Sequence, residues 1–370
     1  MASNTAVPET IGRFRIESRL GAGGMGEVYK GFDPALKRAV AVKTVRPDMG
    51  SPEYVERLYR EAQACARLQH PNIVTIFEVG EFDQGVFIAM EYLKGENLAT
   101  ALKAGRLALR AKLGVLVQVL DALAHAHDEA VIHRDIKPSN VHLLPDGSIK
   151  LLDFGLARME SAETITISGS VMGTPHYASP EQLRAERVDA RSDVFSTGAL
   201  AYELFEGQRP FEADTISAVL IKVLSEPPAP PAGAWSHHVP GLRAIVERAI
   251  AKAPADRYQT AREMKHAVEA LLETERDAIA EVDAAEPPVH GEEAGATRMV
   301  SEPPTRLASE AATQRTAVPS APTLPAAASA VTATAPTLPP PSEPVPSRST
   351  GTLAVAAGLL VAVAIGGVVL

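Results

Sequence analysis

This chain of 370 residues contains a single cysteine and is short of positive charge: 36 Lys and Arg stand against 45 Asp and Glu, a formal net charge of −9. One cysteine cannot close an intramolecular disulfide. Cys65 lies in a helical pattern and reads as a small buried hydrophobe in a protein of a reducing compartment. Binding to a phosphate backbone wants a basic surface, so the charge balance and a pI near 5.6 argue against a nucleic-acid partner. The opening residues M-A-S-N-T-A-V-P-E-T have neither a basic start nor an apolar core, so no secretory signal peptide is expected.

Composition divides what is there. Most of the 29 prolines follow Glu226, and from Arg276 to Ser349 the chain is dominated by Ala, Pro, Thr, Ser and Glu without an apolar period. Such a stretch cannot bury a core and reads as a disordered linker over 274–350. The folded part is therefore expected over 11–273. Thr352 to Leu370 carries no charge and is close to the roughly 20 residues that cross a bilayer, so 351–370 is expected to be a single transmembrane helix. Arg348 precedes it and no Lys or Arg follows, which keeps the folded part cytoplasmic by the positive-inside rule. Ala354, Gly358, Ala362 and Gly366 recur every fourth residue, a small-residue face suited to self-association.

The densest chemistry lies in Ile132 to Val141, I-H-R-D-I-K-P-S-N-V. Asp135 can accept a proton from an alcohol, Lys137 can neutralise charge on a transferring group, and Asn140 offers a side-chain oxygen to a hard cation. Phosphoryl transfer needs all three. Downstream, I-K-L-L-D-F-G-L-A sets Asp153 at a strand end, where its carboxylate can chelate a cation together with Asn140. Upstream, a strand pattern over Phe14 to Leu20 runs into G-A-G-G-M-G-E-V-Y, glycines that let a hairpin approach phosphate oxygens. The spacing also fits a dinucleotide fingerprint, but that wants a helix directly after the glycines, whereas Glu27 to Lys30 leads into strand-like sequence. A-V-A-V-K then ends a strand on an inward-pointing Lys43. A buried lysine needs a partner, and the charged helical pattern over Glu53 to Gln69 can supply one.

In this order the motifs resemble the eukaryotic-type protein kinases, from about Phe14 to Leu272, with Lys137 in the serine/threonine form. The G-A-G-G-M-G-E-V-Y and Y-A-S-P-E-Q forms look most like the bacterial, membrane-anchored members. The resemblance implies an α+β, bilobed fold: a β-rich N-lobe with one major helix over 11–93 and a larger helical C-lobe over 94–273. It implies ATP and Mg²⁺, with Mn²⁺ as an alternative, and Ser/Thr hydroxyls of proteins as acceptors. By the same resemblance Asp135 and Lys137 are catalytic, Lys43 orients the phosphates, and Glu61 holds Lys43, chosen by its spacing before L-Q-H-P-N-I-V. Asn140 and Asp153 hold the metal. Leu20, Gly21, Gly23, Gly26, Val28, Ala41, Met90, Glu91, Leu93 and Leu143 surround the nucleotide, with Met90 at the back and Glu91 to Leu93 as the hinge.

Regulation is implied as well. Arg134 meets a phosphate on the activation segment, where Thr164, Thr166, Ser168 and Ser170 are candidate acceptors and Thr166 and Ser168 the favoured ones, with Thr174 in the closing G-T-P-H-Y-A-S-P-E. Phosphothreonine-binding partners are a further expectation. Asp193 reads locally as a helix cap, and the resemblance adds that it holds the backbone of the catalytic loop. Arg257 pairs with Glu181. S-P-E for A-P-E and Phe195 for tryptophan are departures. A pseudokinase scaffold and a small-molecule kinase are the rivals. The first usually lacks a chemical residue that is present here, and the second has little use for the intact peptide-docking segment.

Overall fold

The computed structural model of the chain describes residues 7–23, 26–45, 59–60, 62–82, 85–154 and 175–285. An antiparallel sheet forms the N-terminal lobe from β1 (Thr10–Ile11), β2 (Phe14–Gly23), β3 (Gly26–Asp33), β4 (Arg38–Val45), β5 (Ile76–Phe82) and β6 (Gly85–Glu91), in the order β1-β2-β3-β4-β6-β5. Alternation along β4 and β6 divides their side chains between two cores. Ala41, Val45, Val86, Ile88 and Met90 gather on one face with Ala62, Val74 and Leu152. Val40, Val42, Phe87 and Ala89 join Ile11, Phe14 and Tyr29 on the other. Leu152 follows the strands of the second lobe, so the first of these clusters also joins the lobes. Gly12 and Gly80 flank Phe87, and a Cβ on either would come within 2.7 or 2.6 Å of its ring.

The C-terminal lobe is helical apart from a small sheet of β7 (Glu96–Asn97), β8 (Val141–Leu143) and β9 (Ile149–Leu151). Its helices are α1 (Leu98–Lys103), α2 (Leu109–Asp128), α3 (Pro180–Leu183), α4 (Ala190–Glu206), α5 (Ile216–Ser225), α6 (Ala234–His238), α7 (Pro240–Ala249), α8 (Ala261–Thr274) and α9 (Arg276–Ala285). Leu109, Leu113, Leu116, Leu120 and Leu123 place a 3.6-residue stripe of α2 in the core. Helix α4 is buried nearly all round and ends at Gly207, whose φ of 75° is the left-handed conformation of a helix C-terminus. Phe195 on α4 stacks on Phe211 with centroids 6.0 Å apart and has the Arg257 guanidinium 4.8 Å from its ring centroid, so phenylalanine fills this site.

Two expectations are corrected. The cap of α4 is Asp189, which accepts from the Arg191 amide, and Asp193 lies a turn inside the helix, fully buried. The linker does not begin at 274: residues 276–285 form α9, with Ile279 and Val282 buried in the main core. These two apolar residues, three apart on one helix face, are diluted when composition is read over the whole stretch to 349. The segment read as linker beyond 285, and the apolar run at 351–370, lie outside the described residues.

Candidate active site

Helix α2 delivers the chain into the loop 132–141, which leaves through a short 3-10 turn, Pro138–Asn140, into β8. The backbone of this loop hangs on one buried carboxylate. Asp193 Oδ2 accepts from the His133 amide at 2.8 Å and faces His127 Nε2 at 2.8 Å, while Oδ1 accepts from the Arg134 amide at 2.8 Å. Arg134 has a φ of 66°, a conformation that costs a non-glycine residue roughly 1 kcal/mol and persists only when its surroundings fix it. Its carbonyl is fixed too, accepting from Gln182 Nε2 at 3.0 Å. Gln182 is oriented by Ser179, which caps α3 in a reciprocal capping box. The S-P-E departure thus gains one hydrogen bond that alanine cannot make, from the Gln182 amide to Ser179 Oγ at 3.4 Å, while the reciprocal bond to Gln182 Oε1 comes from the backbone amide of residue 179.

His133 is fully buried and contacts Phe154, ring centroids 4.4 Å apart. Its Nε2 donates to the Leu152 carbonyl at 2.9 Å and its Nδ1 accepts from the Asp135 amide at 3.3 Å, so it carries one proton. Burial pushes its pKa down, in agreement with a neutral ring. Asn140 Nδ2 donates to the Asp135 carbonyl at 2.8 Å and to Asp135 Oδ2 at 2.9 Å, and Lys137 Nζ lies 2.9 Å from the same carboxylate oxygen. Asp135, Lys137 and Asn140 thereby form one cluster.

Lys43 reaches this cluster's neighbour across 110 residues of sequence: its Nζ lies 2.7 Å from Asp153 Oδ1. Cross-strand register explains its direction. Val28 pairs with Lys43 and Lys43 with Ile88, while Ala41 pairs with Met90, so all share the sheet face that looks toward Leu152. Asp153 stands two residues beyond β9 with a φ of 56°, a second non-glycine residue in the left-handed region. Leu93 packs at the edge of this cluster, and Leu143 packs against the main core of the second lobe. Leu20 is half-buried and Gly21 pairs with Val28 in the β2–β3 hairpin. Gly23 pairs with Gly26 at its tip. Gly26 is required by packing, because a Cβ there would meet the Thr44 carbonyl oxygen at 1.7 Å. Glu91 is tied on both sides: its amide donates to the Thr75 carbonyl at 3.0 Å, and its carboxylate accepts from the Thr75 amide at 2.7 Å and from Lys150 at 2.8 Å.

Glu61, Thr166, Ser168 and Thr174 lie outside the described residues. Among the described residues no group of three or more His, Cys, Asp or Glu could hold a metal. Asn140 and Asp153 supply an amide and a carboxylate, hard oxygen donors of the kind that suits Mg²⁺ when phosphates and water complete its shell. Sequence reasoning did not find the Glu91–Lys150 tie, the Gln182 anchor, or the contacts of Tyr177 with Glu203. Each links residues far apart in the chain, and no local spacing signals them.

Farther out, Arg257 is fully buried and bidentate to Glu181, with Nη1–Oε1 at 2.8 Å and Nη2–Oε2 at 3.0 Å. Burial alone would raise the Glu181 pKa, but the bonds from Arg257 and Ser192 outweigh it and hold the carboxyl low. Arg257 also donates to the carbonyls of Ala251, Lys252 and Arg191, so none of this buried charge is left to one partner. The pair fixes the segment around α3 against the start of α4.

Known proteins resemble this chain in sequence and in fold. A family model described as the protein kinase domain matches residues 14–268. A probable serine/threonine-protein kinase of Streptomyces coelicolor is 43% identical over 270 residues, 71% of this chain and 40% of the relative. Serine/threonine-protein kinase PrkC of Bacillus subtilis is 38% identical over 268 residues, 72% of this chain and 41% of that protein. The chain thus spans less than half the length of these two relatives. The crystal structure of the Mycobacterium tuberculosis PknI kinase domain superimposes with a TM-score of 0.57 at 30% identity, covering 73% of this chain and 100% of that one. The loop, the strand-borne lysine and the family match agree, and the chain belongs to the protein kinase domain family.

Proposed function

We propose that the protein is a serine/threonine protein kinase of bacterial signalling that phosphorylates hydroxyls of protein substrates and its own activation segment. ATP and a divalent cation, Mg²⁺ or Mn²⁺, supply the phosphoryl group and neutralise its charge. The chain's own residues do the rest. Asp135 orients the acceptor hydroxyl and receives its proton, Lys137 stands beside it to offset charge developing on the transferring group, and Lys43 orients phosphate oxygens. Asn140 and Asp153 are the oxygen donors for the cation. The observation that carries this reading is the locked cluster of Asp135, Lys137 and Asn140 on a backbone held by Asp193, with Lys43 drawn to Asp153.

Replacing Asp135 by Asn or Lys43 by Met removes these contacts without opening the core. Each change is expected to lower kcat for phosphorylation of a generic protein substrate by about 10² or more, at an unchanged melting temperature. Wild-type turnover by both variants would overturn the mechanism. Mapping of phosphopeptides in the wild-type reaction reads the activation proposal. Arg134 is expected to be served by phosphate on Thr166, Ser168 or Thr174, and full activity with these unmodified rules that out. Modified threonines of this kind are what phosphothreonine-binding partners recognise. We further propose that residues 351–370 anchor the protein in a membrane with the kinase domain cytoplasmic. The uncharged run and the position of Arg348 support this reading.

A further inference from the structure

A cleft beside the catalytic loop is lined by Lys137 and Ser139, by Lys103 at the end of α1, and by Tyr177, Glu203 and Arg209. Lys137 Nζ lies 2.9 Å from Asp135 Oδ2, so an occupant of the cleft sits within a side chain's length of the carboxylate that receives the acceptor hydroxyl. Given the kinase reading above, on which this inference rests, a substrate peptide threading past Asp135 presents one flanking side chain to this cleft.

The charge of Glu203 decides what that side chain can be. Glu203 lies in the last turn of α4, and its side chain is 19% exposed. Unpaired, such a carboxylate beside a peptide path would draw an arginine or lysine from the substrate. It is not unpaired. Gly207 ends α4 in the left-handed conformation and turns the chain back, which returns Arg209 over the helix end. Arg209 Nε stands 3.9 Å from Glu203 Oε1, and Tyr177 donates its hydroxyl to Glu203. Arg209 also bonds the Tyr177 oxygen and lies 3.5 Å from the exposed Glu212. Burial, followed by the charge of Glu203, raises the Tyr177 pKa far above its ordinary value, so the hydroxyl stays protonated and donates. With Glu203 answered from within, the other charges lining the cleft are the cations Lys103 and Lys137, the latter paired with Asp135.

We propose that Arg209 is a specificity-determining residue: it occupies the Glu203 carboxylate in cis and thereby turns basic substrate side chains away from the cleft beside Asp135. The device is rejection by a built-in occupant, and the substrates it selects carry neutral or acidic residues at the position that enters the cleft.

The test uses the full chain and a set of peptides with one threonine, in which Arg, Ala or Glu is placed at each flanking position in turn. The quantity read is the ratio of kcat/KM for the Arg peptide to that for the Ala peptide within each variant, so a general change in activity cancels. In the wild type no position is expected to favour Arg. Arg209→Ala should raise the ratio at one position by roughly fivefold or more, the scale of an ion pair made in a partly desolvated site. Arg209→Gln, closer in size, should move the same position in the same direction. Arg209→Lys keeps the cation and should retain the wild-type profile. The gain in Arg209→Ala should vanish when Glu203→Gln is added. The wild-type profile in both the Ala and Gln variants of an active enzyme overturns the proposal and leaves the kinase reading standing. A wild-type chain that phosphorylates no peptide and no protein overturns the reading on which it rests.

Discussion

Lys252 shows how much one side chain can carry outside the reaction centre. Its Nζ donates to the carbonyls of Lys222 and Val223, the last turn of α5, and lies 3.7 Å from the centroid of the Phe211 ring. It therefore caps a helix C-terminus, where a cation is favoured. Burial works against it, with the nearby charge of Arg257 adding to the effect, and its pKa falls from 10.5 to about 8. The sign of the linkage follows. Below pH 8 the amine is charged in both states and folding bears the cost of burying the charge. Between 8 and 10.5 the unfolded chain binds more protons than the folded one, so this residue's contribution to stability rises with pH. Against Lys252→Met as reference, the melting temperature of the wild type is expected to gain a few degrees over that interval. A flat or falling difference would mean that the amine is not desolvated. Nothing in K-A-P-A-D-R-Y announces this role, because the carbonyls it meets are about 30 residues away. Asp135, Lys137 and Asn140 were legible for the opposite reason: they act from one loop, so their spacing in the chain is their spacing in the site. Asp193 falls between these cases. Its position at a helix start suggested a cap, which Asp189 supplies instead, whereas the role that the resemblance implied, holding the catalytic-loop backbone, is the one its contacts with His127, His133 and Arg134 bear out.

At the level of elements, strands and helices follow from period. A-V-A-V-K and V-F-I-A-M-E gave β4 and β6 their two-faced packing, and the leucine spacing of α2 gave its buried stripe. Helix ends are less legible. Helix α2 begins after Ala108, which offers no side-chain cap, and its first amides are met from the far end of the domain: Asp283 of α9 accepts from the Leu109 amide and, at 3.3 Å, from that of Arg110. A carboxylate at this position answers orphan N–H groups and complements the helix dipole. The separation of 174 residues puts this cap beyond any local rule. It also explains why α9 is folded although its surroundings read as linker, since Ile279 and Val282 bury one face and Asp283 pins the other end. Asp283→Ala is expected to cost about 1 kcal/mol of stability in urea unfolding, and Asp283→Asn, which keeps an acceptor, clearly less. Equal losses in the two would point to charge alone, and no loss in either would remove the cap from the account of α2.

For the whole molecule, the remaining question is where the catalytic domain works. The run from Thr352 to Leu370 lies outside the described residues; it reads as a span because a bilayer imposes a one-dimensional requirement, enough apolar residues in a row. If 351–370 spans a membrane, the full chain should sediment with membranes and resist extraction at alkaline pH, and deletion of 351–370 should release it. Protease added outside sealed cells should leave residues 11–285 intact if the kinase domain is cytoplasmic, the side that Arg348 just before the run favours. A full chain found in the soluble fraction would end this reading. Tethering also predicts a kinetic consequence. Two domains on one membrane meet at an effective concentration set by the intervening chain, so phosphorylation between copies should be faster for the anchored protein than for the released one at equal total amount. The small-residue row adds a further distinction. Replacing Gly358 and Gly366 by isoleucine keeps the span apolar but roughens the face through which helices approach. If that face pairs, the substitution should lower the rate between copies toward that of the released protein while leaving membrane association unchanged. If it does not pair, the anchored rate should persist, and confinement to the surface alone accounts for it.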